Sequence, residues 1–167
     1  MGVAIQEAMR YVLYRTYSKA EEAIKAVATP NAALPLNLFT SSLAAGLGFG
    51  TMQGVIMYGS VLAASTGPGV LFVDSCPHIP LVMLSAVNCL CFIVMNITLM
   101  IVAFGAYESN NRQRVLTVFL IHLVCSLLTV INTVDNGCAA SLPLLIIVVF
   151  GTTAFFACKS DGFPLSN

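Results

Sequence analysis

Residues Gly46–Gly54 read GLGFGTMQG and place three glycines, Gly46, Gly50 and Gly54, four residues apart. Positions four apart lie on one face of an α-helix, so these glycines form a smooth stripe, which Ser42 extends by one turn. In a bilayer such a stripe lets a second helix approach until the two backbones touch. The stripe therefore predicts a transmembrane helix in close contact with another helix, either within this chain or in a partner.

The composition of the whole chain indicates a membrane protein. Of its 167 residues 58% are apolar and 8% are charged, with no formal net charge. Four runs without a charged side chain reach the roughly 20 residues that a spanning helix needs. They are residues 36–64, 79–107, 115–134 and 139–158. The runs do not alternate as barrel strands do, so we predict an all-α, polytopic transmembrane helical bundle that forms a single membrane domain over residues 1–167.

The first segment, residues 2–27, has a helical pattern but is too polar to be a fifth full span, because Gln6, Glu7 and Arg10 follow only a short apolar start. Two interpretations remain open. It is an interfacial amphipathic helix on the cytosolic face, which the residues alone favour, or it is the cytosolic half of a transmembrane helix.

All seven basic residues fall on one predicted side of the membrane. They are Arg10, Arg15, Lys19, Lys25, Arg112, Arg114 and Lys159. The loops at 65–78 and 135–138 contain neither lysine nor arginine. The positive-inside rule therefore predicts that these loops are luminal or extracellular and that the carboxy terminus is cytosolic.

Polar side chains follow helical faces in two of the runs. Their members are Ser85, Asn88 and Asn96 in the second run, and His122, Ser126, Thr129 and Thr133 in the third. One interpretation is interhelical hydrogen bonding that holds the bundle together. The other is a polar cavity or partner-binding pocket lined by His122 and Asn96. His78 is the one other histidine in the sequence and lies in a predicted luminal loop, so we expect no metal site.

No acidic residue lies inside the four runs, which argues against an intramembrane aspartyl protease. The nearest is Glu7, and Arg10 one turn later is its predicted ion-pair partner. We expect no catalytic residue, no cofactor and no nucleic-acid partner. The alternative function is a small transporter or channel with a polar path lined by Asn96 and His122. Among the cysteines, Cys76 and Cys138 both lie in or beside luminal loops, where a disulfide between them is sterically conceivable.

An ordered set of motifs over most of the chain resembles the anterior pharynx-defective family. The set comprises IQEAMRY at 5–11, SKAEE at 18–22, the glycine stripe, GPGV at 67–70 and HL at 122–123. Members of that family are the seven-helix scaffold subunit of gamma-secretase. The resemblance implies that Gln6 and Glu7 belong to the third family helix, so that the chain holds the end of this helix and the four that follow, without the first two and a half.

The resemblance also implies a function and site residues. Gly46, Gly50 and Gly54 would take part in assembly of the complex, and His122 would contact presenilin. Asn96 stands where the family has a second histidine; it can donate and accept a hydrogen bond but cannot ionise. The implied partners are presenilin, nicastrin and a presenilin-enhancer-type subunit. The implied role is non-catalytic support of presenilin maturation and of cleavage of Notch and amyloid precursor-like substrates, in the endoplasmic reticulum, Golgi, endosome and plasma membrane.

Overall fold

The structure, a computed structural model, describes residues 2–27, 37–67, 72–73 and 75–159. These residues form five α-helices and one short hairpin: α1 (Gly2–Val27), α2 (Leu38–Ala64), β1 (Phe72–Val73), β2 (Cys76–Pro80), α3 (Leu81–Glu108), α4 (Arg112–Val130) and α5 (Cys138–Lys159). Helices α2, α3, α4 and α5 are long and apolar enough to cross a membrane, α4 together with the 3₁₀ turn Ile131–Thr133 that continues it. The predicted all-α bundle of four spans and an amino-terminal partial or interfacial helix is confirmed.

The element bounds differ from the predicted runs where local chemistry decides the helix ends. Ile79, predicted as the start of a span, lies in β2, and Pro80 forms the N-cap of α3. Helix α4 begins three residues earlier than its apolar run, because the side chain of Asn111 accepts hydrogen bonds from the backbone N–H groups of Gln113 and Arg114. The predicted first residue of the first run, Leu36, and the Pro68-Gly69 pair lie outside the described residues.

Helix α3 is the centre of the bundle. Some 61% of its most apolar stretch is buried, against 11% for α2 and 17% for each of α4 and α5. Its buried side chains, among them Phe92, Met95 and Leu99, form one core cluster with Val118 of α4 and Leu145 of α5. The outer faces of α2, α4 and α5 expose large apolar side chains, as expected of surfaces in contact with lipid tails.

The predicted loop at 65–78 contains an antiparallel hairpin, in which Phe72 pairs with Pro80 and Val73 with Cys76. A disulfide joins Cys76 in this hairpin to Cys138 at the start of α5. The turn before α5 is tight: Asn136 has a φ of 57°. A Cβ on Gly137 would lie 1.8 Å from the carbonyl oxygen of Ile131, so only glycine fits there.

Helix α1 packs into the bundle at its amino-terminal turns. Glu7 and Arg10 contact the middle of α4 and of α3, and Tyr14 reaches Glu108 at the end of α3. These contacts place the first turns of α1 at the level of the spanning helices. They favour the interpretation as part of a transmembrane helix over the interfacial one.

Candidate functional site

The glycine stripe packs against α3 of the same chain. The buried residues of α2 are Ser42, Gly46, Gly50 and Gly54, which are the stripe and its extension. The sequence left open whether the stripe contacts a helix of the same chain or of a partner protein. In the structure it contacts α3 of the same chain. The role of the stripe in assembly stays a prediction.

The contact leaves no room for a side chain at Gly46 and very little at Gly50. A Cβ on Gly46 would lie 2.9 Å from the Cα of Ile97, and a Cβ on Gly50 would lie 3.1 Å from the carbonyl oxygen of Ile93. Gly54 faces the far end of the Ile93 side chain at 3.0 Å. Gly46 and Gly50 therefore meet backbone that cannot move aside, whereas a substitution at Gly54 meets a flexible side chain.

A polar network links three helices in the middle of the bundle. Nη1 of Arg10 donates to Oε1 of Glu7 at 2.8 Å, which confirms the predicted pair. The same carboxylate oxygen lies 2.6 Å from Nδ1 of His122. The second terminal nitrogen of Arg10 donates to the amide oxygen of Asn96. His122 and Asn96 are thus joined through Glu7 and Arg10 of α1.

Asn96 connects this network to the glycine stripe. Its amide nitrogen donates to Oε1 of Gln53 at 2.7 Å and to the carbonyl oxygen of Phe92 at 2.9 Å. A Cβ on Gly50 would lie 3.3 Å from the Cβ of Asn96. Both amide hydrogens and the oxygen of Asn96 are therefore engaged within the chain, which leaves this side chain no free group for lining an open path.

Three of the four members of the network are fully buried, and Glu7 is 14% exposed. Arg10 and Asn96 are 0% exposed and His122 is 1% exposed. The guanidinium of Arg10 lies 5.8 Å from the ring centroid of Phe49, a favourable cation–π distance. Because a carboxylate only accepts hydrogen bonds, the proton of a neutral His122 is on Nδ1. The arrangement neutralises one buried positive charge with one negative charge.

The sequence predicted some of these contacts and missed others. The ion pair of Glu7 with Arg10 was predicted, and it is present. The contact of Glu7 with His122 was missed, because it joins residues 115 positions apart. One signal in the sequence points to this contact. Glu7 and Arg10 lie one turn apart next to the short apolar start of α1, and other helices of the chain carry polar stripes that could pair with them.

Two of the remaining members of the polar stripes donate to backbone carbonyl groups three residues earlier in the chain. The hydroxyl of Thr129 donates to the carbonyl oxygen of Ser126, and that of Thr133 to the carbonyl oxygen of Val130. An interhelical pair that the sequence did not predict joins Thr98 of α3 to Thr153 of α5 at 2.9 Å. Among the described residues no cluster of three or more metal-ligating side chains occurs.

The end of the bundle that carries the disulfide is also held by hydrogen bonds. The hydroxyl of Ser75 donates to the carbonyl oxygen of Asn132 at 2.7 Å, and the hydroxyl of Ser141 donates to the side-chain oxygen of Asn132. The backbone N–H of Asn136 donates to the carbonyl oxygen of Ser75 at 2.8 Å. The hairpin is therefore fastened covalently and by hydrogen bonds to the α4–α5 connection.

The opposite end carries aromatic residues. Tyr14 donates to Oε2 of Glu108 at 2.8 Å and packs against Phe104 and Tyr107. Burial, together with the hydrogen bond to Glu108, raises the pKa of Tyr14 to about 12. The hydrogen bond ties α1 to the end of α3.

Comparison with known proteins places these features in a family. The model of the family described as "Aph-1 protein" matches residues 1–161. A gamma-secretase subunit APH1-like protein of Arabidopsis thaliana is 30% identical over 150 residues, which cover 88% of this chain and 60% of the relative. Gamma-secretase subunit APH-1B of Pongo abelii is 32% identical, over 94% of this chain and 60% of the relative.

Gamma-secretase subunit Aph-1 of Drosophila melanogaster is 30% identical over 155 residues, 92% of this chain and 64% of the relative. The chain thus spans about 60% of the length of these curated relatives. The match runs through α1, the glycine stripe, the polar network and all four long helices. The chain is a member of the Aph-1 family of integral membrane proteins.

Proposed function

We propose that this chain is a non-catalytic scaffold subunit of a gamma-secretase complex. The observation that carries the proposal is the family match over residues 1–161, together with relatives that are named as gamma-secretase subunits. Presenilin, nicastrin and a presenilin-enhancer-type subunit are the proposed partners. The chain would support presenilin maturation and, through it, cleavage of membrane proteins such as Notch and amyloid precursor-like substrates.

The proposed mechanism is that internal packing gives the partners a rigid surface. Gly46, Gly50 and Gly54 hold α2 against α3 at backbone contact distance. His122 and Asn96 hold α1 against α4 and α3 through Glu7 and Arg10. His122 and Asn96 are buried, so we propose that they support contact with presenilin indirectly, by holding the helices in place inside the bundle. The exposed apolar faces of the helices would contact presenilin itself.

The proposed location is the endoplasmic reticulum, Golgi, endosome and plasma membrane, with the carboxy terminus in the cytosol. The disulfide supports this orientation, because disulfides persist in oxidising compartments and Cys76 and Cys138 lie at the end of the bundle opposite to the basic residues Arg15 and Arg112. A glycosylation acceptor inserted after Thr66 should be modified, whereas one inserted between Ser109 and Arg112 should not. The reverse pattern contradicts the orientation.

Affinity purification of the tagged chain from cells, followed by mass spectrometry, tests the proposed complex. We expect presenilin and nicastrin to be recovered in near-stoichiometric amounts, and an unrelated four-span protein at the same expression level to recover neither. Reconstitution of the purified chain alone in liposomes tests the transporter alternative. Solute flux through such liposomes, without recovery of presenilin from cells, would contradict the scaffold proposal.

A further inference from the structure

A cleft of about 340 Å³ opens at the end of the bundle where α3 ends and α4 begins. Tyr11, Tyr14 and Tyr107 line it, and the ring of Tyr107 packs against both others, with centroids 5.4 Å from that of Tyr11 and 5.2 Å from that of Tyr14. Arg15 of α1 and Arg112 of α4 line the cleft from its two sides. The cleft therefore combines two cations with three aromatic side chains.

Both arginines are exposed, and across residues 2–27, 37–67, 72–73 and 75–159 neither guanidinium group forms a hydrogen bond or an ion pair. Glu108 is close to the cleft and its carboxylate accepts a hydrogen bond from Tyr14; against its one negative charge, the two arginines leave the cleft with one positive charge in excess. A guanidinium offers several N–H donors in a fixed fork that matches the oxygens of a phosphate. Two such groups facing one cleft favour an anionic ligand with phosphate geometry.

The position of the cleft suggests where that phosphate comes from. Arg112 is the first residue of a helix that is apolar enough to span a bilayer, so the cleft lies at the level of the lipid headgroups. Tyrosines are typical of this level. Below Arg112, the side chains of Leu116 and Leu120 are 57% and 48% exposed on α4, an apolar track in line with the cleft.

We propose that this cleft binds the phosphate of an anionic phospholipid. Arg15 and Arg112 hold the phosphate, and the phenol groups of Tyr11 and Tyr107 donate hydrogen bonds to it, while Tyr14 stays bonded to Glu108. An acyl chain runs along Leu116 and Leu120. The cytosolic leaflet is the source of such lipids. The proposal rests on the cleft and does not depend on the assembly function.

Native mass spectrometry of the purified full chain in detergent tests the proposal. The probe is short-chain phosphatidylinositol 4-phosphate, and phosphatidylcholine of the same chain length is the neutral comparison. We expect the chain to retain the anionic lipid. Each replacement of an arginine by glutamine should weaken the affinity roughly five-fold, because one cation near an anionic lipid contributes about a five-fold gain in binding. The variants are R15Q, R112Q and R15Q/R112Q, with circular dichroism to check folding.

The matched control is K19Q/R114Q, which removes the same charge from exposed residues outside the cleft. An equal loss in this control would assign the binding to general surface charge and overturn the proposal. Binding of inorganic phosphate as strong as that of the lipid would overturn the lipid assignment. The variant R15K/R112K keeps the charge but not the guanidinium fork, so it should bind the lipid more weakly than the original chain. The single variants R15Q and R112Q keep the test decisive when the double variant does not fold.

Discussion

Glu7 and His122 lie 115 residues apart in the chain, and Oε1 of the carboxylate lies 2.6 Å from Nδ1 of the imidazole. The same oxygen accepts a hydrogen bond from Arg10. One carboxylate thus joins the first helix to the middle of the fourth. The stability of the bundle should depend on this residue more than on any exposed charge.

Replacing Glu7 by glutamine should destabilise the chain by about 3–5 kcal/mol, because Arg10 remains as a buried cation without its counter-charge. The matched control is Glu22→Gln, at an exposed position of the same helix. Thermal unfolding in detergent measures the difference in stability between the two variants. It is followed by the near-UV circular dichroism of the tyrosines, because the chain contains no tryptophan. The double variant E7Q/R10M should recover part of the loss. A double variant less stable than E7Q would contradict the charge-pair explanation.

Replacing Gly50 by leucine should separate α2 from α3 and destabilise the chain by about 1–3 kcal/mol, because the new side chain meets the backbone of Ile93. Gly48→Leu is the matched control: two residues earlier, its Cβ would have no neighbour within 4 Å. On a native gel, Gly50→Leu should also lose the assembled complex while Gly48→Leu keeps it. Assembly by Gly50→Leu at the level of the original chain would contradict the packing mechanism.

Replacing Asn96 by leucine should cost about 1–3 kcal/mol, since it leaves hydrogen-bond donors of Arg10 and the acceptor of Gln53 without their partner in the interior. Asn88→Leu serves as its control, because Asn88 lies on the same helix and is only half-buried, and no side-chain bond of Asn88 occurs among the described residues. Comparison of the two melting temperatures checks the prediction. Equal effects would mean that the Asn96 bonds do not stabilise the bundle.

The bond between Cys76 and Cys138 closes a separation of 62 residues, and removing it should cost about 2–4 kcal/mol. A maleimide–polyethylene glycol label applied to the denatured chain should add four labels without reductant and six with it, because Cys89, Cys91, Cys125 and Cys158 are free. The variant Cys76→Ser should expose one new thiol, on Cys138. Six labels without reductant would show that the bond does not form.

The fold was largely predictable because lipid imposes strict demands on sequence. Long uncharged runs require spanning helices, and the glycine spacing required one close helix contact. Helix ends were less predictable. The side chain of Asn111 caps α4, so that the helix begins before its apolar run. Pro80 is the N-cap of α3, so that this helix begins after the start of its apolar run. The average polarity of a run does not predict either helix end.

The site was predictable in its members but not in its connections. His122 and Asn96 stood out as polar groups at depth, and Arg10 as the partner of Glu7. That these pairs form one network depends on how α1 packs between α3 and α4, which involves contacts between residues 86 and 115 positions apart. Periodicity within one helix carries no information on such distances.

The charged pair on α1 has a consequence for the order of biogenesis. A carboxylate and a guanidinium are costly in hydrocarbon unless they find partners, and most of the partners of Glu7 and Arg10 are on helices that the ribosome makes much later: Asn96 and His122. The first turns of α1 can therefore take their final place only after α3 and α4 have entered the bilayer. Among the five helices described, α1 is therefore translated before the others but reaches its final place after α3 and α4.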